Sequence, residues 1–351
     1  MEPTHLPSTG EVRRLVNETL EAFLGEKARE VLPGDERRLV EEVTRVVSAG
    51  GKRLRPAFCY WGYRAAGGAE TEAIVRLAAS LELLHTFAIV HDDVMDSSAL
   101  RRGEPTVHRR FADEERSIRG DRDHFGESAA ILVGDLAFVL ADELFLSSGF
   151  VHDRLAAAMS WFTSMRREVI RGQYLDLLAA SRGQTGSAVA RRIAALKSGG
   201  YTVEKPLLIG AAVAGAPEPL LDSLTLYGAP LGEAFQLRDD ILGVFGDPKE
   251  TGKDADGDLL EGKQTYLIAV ARERAAPEDR ALLEDRLGRR DLSQEDVERL
   301  RVILRDTGAL QETTRLIDEL TARALEAAAT FPADVAEALA ALADEASERL
   351  Y

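Results

Sequence analysis

The stretch LAASLELLHTFAIVHDDVMD, residues 77–96, decides the fold that this sequence predicts. Leu77, Leu81, Leu84 and Ala88 recur at the helical period, and good helix formers fill most of the flanking positions. Alternating runs of β-branched residues, which are typical of strands, are nearly absent. We therefore predict an all-α protein of about ten or more helices.

Short breaks separate the helical stretches, and none is long or biased enough to be a domain linker. No repeat at a fixed period is visible along the chain. The sequence therefore predicts a single large helical domain that covers residues 1–351.

The formal charge of −16, from 44 Lys and Arg against 60 Asp and Glu, would repel nucleic acid and anionic membranes. We expect no nucleic-acid partner, and any anionic substrate must be bound by local basic groups. The one cysteine, Cys59, has no internal disulfide partner and lies in an apolar stretch, so we predict a buried thiol in a reducing compartment. Residues 1–10 lack the features of a signal peptide and no uncharged apolar run is long enough for a transmembrane segment, so the predicted location is cytoplasmic.

Asp92, Asp93 and Asp96 crowd one face of the predicted helix within a single turn. Their mutual repulsion is unfavourable, and the apolar residues before them indicate a cavity rather than open water. Magnesium takes one or two carboxylates together with substrate phosphates and would relieve this repulsion. A solvated acidic face remains the alternative for this motif by itself.

A second acidic pair, Asp239 and Asp240, follows Gln236 by three and four positions on another predicted helix. Acidic pairs are common on exposed helix faces, which is the simpler interpretation of this pair alone.

Two basic segments could bind phosphate groups. Residues 50–56, GGKRLRP, place three cations beside two glycines, and Arg101-Arg102-Gly103 closely follows the first aspartates. Guanidinium and ammonium groups suit diphosphate oxygens. Taken singly, each segment is more typical of an ordinary basic surface patch.

Other site types fit poorly. A calcium loop starting at Asp254 would need glycine at its sixth position and glutamate at its twelfth, where Leu259 and Thr265 stand. No phosphate loop, dinucleotide fingerprint, nucleophile elbow or paired-histidine zinc helix is present. His91 is expected to be a satisfied core or rim residue, whereas for His85 structural and functional roles both remain open.

Taken together, these motifs resemble the trans-isoprenyl diphosphate synthases, also called polyprenyl synthetases, and most of all the geranylgeranyl diphosphate synthases among them. The resemblance covers residues 48–265, and its pieces stand in the family's order: Gly50 to Pro56, Asp92 to Asp96, Arg101 to Gly103, Pro105-Thr106, Gly134-Asp135, Gly172-Gln173 with Asp176, Lys197-Ser198, Phe235 to Asp240, Lys253 and Lys263. It implies one all-α domain around a central cavity and a typically homodimeric enzyme that condenses isopentenyl diphosphate with an allylic diphosphate.

The resemblance also implies residue roles. Isopentenyl diphosphate would be bound by Lys52, Arg55, His85 and Arg102, and the allylic diphosphate by Arg101, Lys197 with Ser198, Gln236, Lys253 and Lys263. Magnesium, with manganese as an alternative, would be bound by Asp92, Asp96 and Asp239, supported by Asp240 and Asp258. The residues implied in catalysis itself are Asp92, Asp93, Asp96, Arg101, Lys197, Asp239 and Lys253.

The sequence departs from the commoner family pattern at two positions. Gly243 replaces the third acid of the second aspartate segment, and Ser198 replaces a threonine. Phe87 lies five positions before Asp92 and is followed by the small Ala88. In this family, product length depends on how bulky the residues below the first aspartates are. One aromatic residue followed by a small one resembles enzymes that stop at the twenty-carbon geranylgeranyl diphosphate.

Two alternatives remain at this stage. A terpene cyclase of the same fold also ionises an allylic diphosphate, but it needs neither the basic segment at residues 50–56 nor the second aspartate pair. A catalytically silent partner subunit is the other alternative. It is suggested by Gly243, which stands where the commoner family pattern has an acid.

Overall fold

A computed structural model describes residues 8–114, 119–183, 185–246, 256–289 and 291–347. Almost all of these described residues are helical, and the one sheet among them is a hairpin of β1 (Leu100–Arg101) and β2 (Glu104–Pro105). The α-helices are α1 (Thr9–Glu30), α2 (Arg37–Ser48), α3 (Leu54–Ala65), α4 (Glu72–Met95), α5 (Val107–Glu114), α6 (Arg122–Leu146), α7 (His152–Arg182), α8 (Ser187–Ala194), α9 (Lys205–Ala214), α10 (Glu218–Phe245), α11 (Gly257–Glu261), α12 (Tyr266–Arg274), α13 (Pro277–Arg286), α14 (Gln294–Asp306), α15 (Ala309–Ala328) and α16 (Ala333–Ser347). A π-helix (Ala195–Glu204) joins α8 to α9. The predicted all-α class is confirmed.

Several helices begin at side chains that accept a hydrogen bond from the first turn. Ser8 caps α1, Asp121 caps α6 and Thr265 caps α12, and Ser293 forms a reciprocal capping box at α14. Each cap satisfies a backbone N–H that has no partner inside the helix. Local sequence therefore determines these helix starts.

By contact density the chain divides into two compact units. Unit 1 comprises Met1–Ala157 with Gly210–Gly215, and unit 2 comprises Ala158–Ile209 with Ala216–Tyr351. The single domain expected from the sequence stays a prediction.

Helix α4 is the central helix of unit 1. It packs against α1, α3 and α6 and buries Leu77, Leu81 and Leu84 almost completely. By length and composition α4 could cross a membrane, yet 67% of its most apolar window is buried inside the protein. Such burial favours a core helix that is apolar on nearly all sides, and the absence of a transmembrane segment stays a prediction. Cys59 is fully buried, as expected, and burial raises the pKa of its thiol.

Helix α10 is the central helix of unit 2, where it packs against the π-helix, α15 and α16. Gly199 and Gly232 allow the first of these contacts, because a Cβ on Gly232 would lie 2.4 Å from the carbonyl oxygen of Gly199. No side chain fits between backbones this close, so the two glycines set the position of the π-helix on α10.

Candidate active site

The first aspartate segment occupies the last turn of α4. Asp93 is turned inward and only 4% exposed, and Arg101 places Nε and Nη2 each 2.8 Å from its Oδ1. Asp92 and Asp96 are partly exposed, and the Arg101 guanidinium lies 3.7 Å from Asp92 Oδ2. Asp93 therefore orients Arg101, while Asp92 and Asp96 are the carboxylates open to a ligand.

Electrostatics explain why this end of α4 attracts cations. Three carboxylates lie at a helix C-terminus, where the helix dipole adds negative potential. Burial lowers the pKa of Arg101, but the charges of Asp93 and Asp92 outweigh burial and raise it. Arg101 thus remains a cation beside the aspartates.

The hairpin after α4 carries the second arginine of the pair to the glycine-rich segment. Arg102 and Gly103 both have positive φ, 55° and 78°, which the two-residue turn between β1 and β2 requires. Arg102 donates to the carbonyl oxygen of Gly50, and a Cβ on Gly51 would lie 3.3 Å from its Nη2. The two basic segments, separate in sequence, are therefore in contact.

The three cations of residues 50–56 have different environments. Arg53 has a left-handed backbone, is buried, and donates to Asn17, Glu82 and the carbonyl oxygen of Val47 at 2.6–2.9 Å. Lys52 and Arg55 are partly exposed on either side of it. Arg53 therefore belongs to the fold, and its neighbours are the ones available to a substrate.

His85 lies among the same cations, two to three turns before the aspartates on α4. Burial lowers the pKa of its imidazole well below 6.5, and the nearby charges of Arg55, Arg101 and Arg102 lower it further. A neutral imidazole among guanidinium groups can hydrogen-bond an anion without adding another charge. Of the residues predicted for isopentenyl diphosphate, the structure places His85, Arg55 and Arg102 together with Arg101.

An aromatic group lies on α4 between His85 and the aspartates. Phe87 makes edge contacts with His91 at 4.8 Å and with Phe138 of α6 at 4.9 Å between ring centroids. A Cβ on Gly134 would lie 2.2 Å from the His91 ring, so the ring can occupy this position only because residue 134 has no side chain. His91 Nε2 lies 3.0 Å from the carbonyl oxygen of Ile131, consistent with the satisfied core or rim role expected for it.

In unit 2, Lys197 and Ser198 lie on the π-helix, which the sequence did not predict. A Cβ on Gly172 of α7 would lie 2.5 Å from the backbone nitrogen of Lys197, so the two elements meet backbone to backbone. This contact brings Lys197 Nζ to 2.7 Å from Asp176 Oδ2. π-Helical turns are often found at functional sites.

The second aspartate segment lies near the end of α10. Asp240 is 6% exposed and accepts a hydrogen bond of 2.7 Å from Gln236, whereas Asp239 is partly exposed. Burial, followed by the charge of Asp258, raises the pKa of Asp240 well above its usual value. Asp239 is therefore the more accessible carboxylate, and Gln236 is engaged with Asp240.

Asp258 and Lys263 accompany this segment. Lys263 Nζ lies 3.0 Å from Asp258 Oδ1, and a Cβ on Gly243 would lie 2.0 Å from Asp258 Oδ2. The acid from α11 thus lies against α10. Lys253, also predicted to bind the allylic diphosphate, is outside the described residues.

Sequence reasoning missed several features of these sites. The buried role of Arg53 and the contacts of Gly134, Gly172 and Gly243 were not foreseen. The paired glycines after Ser198 were the only sequence signal near the π-helix.

Comparisons with known proteins agree with this geometry. Residues 36–304 match the family model described as polyprenyl synthetase. A geranylfarnesyl diphosphate synthase of Aeropyrum pernix is 36% identical over 76% of this chain and 79% of its own length. A geranylgeranyl diphosphate synthase of Saccharolobus solfataricus is 33% identical over 76% of each chain.

A solved structure is similar over nearly the whole length. The crystal structure of geranylgeranyl pyrophosphate synthase from Corynebacterium glutamicum, complexed with isoprenyl diphosphate and magnesium, is 37% identical, with a TM-score of 0.92 over 97% of this chain and 99% of that one.

Proposed function

This chain belongs to the polyprenyl synthetase family and is a short-chain trans-prenyltransferase, and from that premise we propose how it works. It condenses isopentenyl diphosphate with dimethylallyl, geranyl or farnesyl diphosphate, and its main product is geranylgeranyl diphosphate. The observation that carries the proposal is the gathering of cations beside the aspartates of α4. Arg101 is bound to Asp93, and Arg102 reaches the glycine-rich segment that precedes Lys52.

The donor groups fit a hard divalent cation, and we propose magnesium, with manganese as a substitute. Asp92 and Asp96 present carboxylate oxygens at the end of α4, where the helix dipole adds negative potential. In unit 2, Asp239 presents a partly exposed carboxylate on α10. In the described ranges no three His, Cys, Asp or Glu side chains are grouped closely enough to bind a metal ion by themselves. Magnesium commonly takes one or two carboxylates and completes its shell with substrate phosphates and water, and we propose this arrangement.

When bound with substrate, the cation stabilises the negative charge that develops on the departing diphosphate. Arg101 in unit 1 adds positive charge for a diphosphate, and in unit 2 Lys197 and Lys263 offer positive charge of the same kind. Lys52, Arg55, Arg102 and the neutral His85 hold isopentenyl diphosphate, whose double bond attacks the allylic carbon. One proton is then lost from the new chain, which is longer by five carbons.

Product length is proposed to depend on Phe87. Its ring and that of Phe138 form an aromatic group about one turn from the aspartates, and the next residue is the small Ala88. Phe87→Ala should shift the products beyond twenty carbons, as chromatography of the dephosphorylated alcohols would show. An unchanged product spectrum would contradict this assignment.

A homodimer is also proposed, because α6 carries an exposed apolar stripe. Leu132, Val139 and Leu146 recur every seven positions, hence on one face, and each is more than half exposed. Exposed apolar patches of this kind mark protein interfaces.

The test of function is product analysis with isopentenyl diphosphate and each allylic starter, with and without magnesium. We expect chain elongation only with both substrates and metal, and its loss in Asp92→Ala but not in Asp35→Ala, a matched change in an exposed turn. Release of a hydrocarbon from geranylgeranyl diphosphate alone would indicate a cyclase instead. No turnover, together with altered products of a partner synthase, would indicate a silent subunit.

A further inference from the structure

Lys52 lies on a segment whose own sequence does little to fix its shape. Residues 50–53 have no regular secondary structure, and Gly50, Gly51 and Arg53 have positive φ values of 87°, 142° and 53°. Glycine loses more conformational freedom on ordering than any other residue, so this segment must be held by contacts from other elements. The contact of Arg102 with the carbonyl oxygen of Gly50 is one of them.

Helix α1 supplies two further contacts. Arg13 Nε donates a hydrogen bond of 3.2 Å to the carbonyl oxygen of Lys52, and Asn17 Oδ1 accepts one of 2.9 Å from Nε of Arg53. Arg13 and Asn17 are four positions apart and therefore lie on the same face of α1. Two consecutive residues of the segment are thus bound to one helix face.

Helix α1 is a firm support for these contacts. Val12, Val16 and Leu20 form its buried stripe, each at most 1% exposed, and α1 packs against α2, α3 and α4. A helix packed in this way cannot shift without losing apolar contacts. Helix α1 also precedes residue 36, where the match to the family model begins, so the family's motifs do not include it.

The next residue on α1, Arg14, has the same charge but different partners. Its side chain is 55% exposed, and its Nη1 lies 2.7 Å from Oε1 of Glu18 on α1 itself. Exposed pairs of this kind contribute little to stability. Arg13 instead reaches another element, where its charge strengthens the hydrogen bond to the Lys52 backbone. Loss of Arg13 would release that backbone, whereas loss of Arg14 would not.

We propose that Arg13 is a positioning residue for isopentenyl diphosphate, because it fixes the backbone of Lys52 and so directs the Lys52 ammonium to the diphosphate. Its partner is the Lys52 backbone and not the substrate. This inference rests on the proposed function, in which Lys52 binds isopentenyl diphosphate.

The experiment measures the Kd of isopentenyl diphosphate by calorimetry, without an allylic partner, so that no turnover occurs. The proteins are the wild type, Arg13→Ala, Arg14→Ala, Lys52→Ala, and Arg13→Ala with Lys52→Ala. A hydrogen bond to a charged group is worth tenfold or more in affinity, so Lys52→Ala should raise the Kd about 10–100-fold and Arg13→Ala about tenfold. Arg14→Ala, which removes the same charge one position away, should leave the Kd unchanged.

Two further results are expected. In the Lys52→Ala background, Arg13→Ala should have little additional effect, because the group that it positions is gone. In steady-state kinetics, Arg13→Ala should raise the KM for isopentenyl diphosphate while kcat and the KM for farnesyl diphosphate stay nearly constant. A purely structural role would lower the melting temperature without this selective change in one KM.

The proposal is overturned if Arg13→Ala binds isopentenyl diphosphate as tightly as Arg14→Ala does. It is also overturned if Arg13→Ala weakens binding by the same factor with and without Lys52, since Arg13 would then act on the substrate directly. Arg13→Met, which keeps the aliphatic stem, gives the same comparison should Arg13→Ala fail to fold. A wild-type Kd in Lys52→Ala would instead refute the proposed role of Lys52, and this inference with it, so the two failures are distinct.

Discussion

The contact between Gly172 and Lys197 gives the sharpest test of the unit 2 geometry. In Gly172→Ala the new Cβ would lie 2.5 Å from the nitrogen and 2.8 Å from the Cα of Lys197. Ordinary contact begins near 3.4 Å, so α7 and the π-helix must separate by about 0.9 Å. Both partners are backbone, and no rotamer change can relieve the clash.

The cost of this overpacking exceeds the gain in helix propensity, so we expect Gly172→Ala to lose both stability and activity. Overpacking costs about 1–3 kcal/mol, and a rigid backbone contact belongs at the upper end of that range. The better helix propensity of alanine returns about 1 kcal/mol, which leaves a net destabilisation of about 2 kcal/mol. Because a displacement of about 1 Å in a positioning group can cost roughly 100-fold in rate, we expect a loss of that order in kcat as Lys197 moves away from Asp176.

The assay combines urea unfolding with steady-state kinetics on isopentenyl and farnesyl diphosphates with magnesium. Gly25→Ala is the matched control, because this helical glycine in α1 has no heavy atom within 4 Å of the added Cβ. That control should be stabilised by roughly 0.5–1 kcal/mol with unchanged kinetics. If Gly172→Ala were as stable and as active as the wild type, the close approach of α7 and the π-helix would be refuted.

Three further predictions concern unit 1. Arg53→Ala should lower the free energy of unfolding by about 3–5 kcal/mol, because it leaves Glu82 buried without its partner. Lys52→Ala should instead mainly raise the KM for isopentenyl diphosphate. Equal melting temperatures of the two variants would contradict this distinction. The pKa of His85 in the folded state lies below 6.5, so the unfolded state binds more protons as the pH falls below that value. In denaturant titrations at falling pH, the wild type should therefore lose stability relative to His85→Gln. A gain in its relative stability would show that the pKa shift has the opposite sign. Leu132→Asp should convert a dimer to monomers in light scattering, while aspartate at the still more exposed Leu32, outside the stripe, should not.

The sequence was sufficient for the fold class and the family, because helical periodicity and short motifs can be read along the chain. The motifs named Lys52 and Arg55 as substrate residues and gave Arg53 between them no role. The left-handed backbone at Arg53 turns that residue into the core. Whether a cation faces a ligand or a buried carboxylate depends on contacts such as that with Glu82, 29 positions away.

Glycines account for most of what was missed. A glycine in the sequence does not show whether it allows a turn or leaves space for a residue that is distant along the chain. Gly172, Gly134 and Gly243 each leave space for a group on another element. The π-helix was unpredictable for a related reason, since its hydrogen bonds depend on packing against α10 more than on residue preference.

The position of the first aspartate segment at the last turn of α4 has a consequence for the lifetime of the protein. Without ligand, α4 ends in carboxylates that oppose its own dipole, so the empty protein is held below the stability it could reach. Metal and diphosphate that bind only the native state stabilise it by mass action, by about 2.7 kcal/mol at a hundredfold excess over Kd. We therefore expect resistance to proteolysis to rise with substrate supply, so that the amount of intact enzyme follows the flow of isoprenoid precursors.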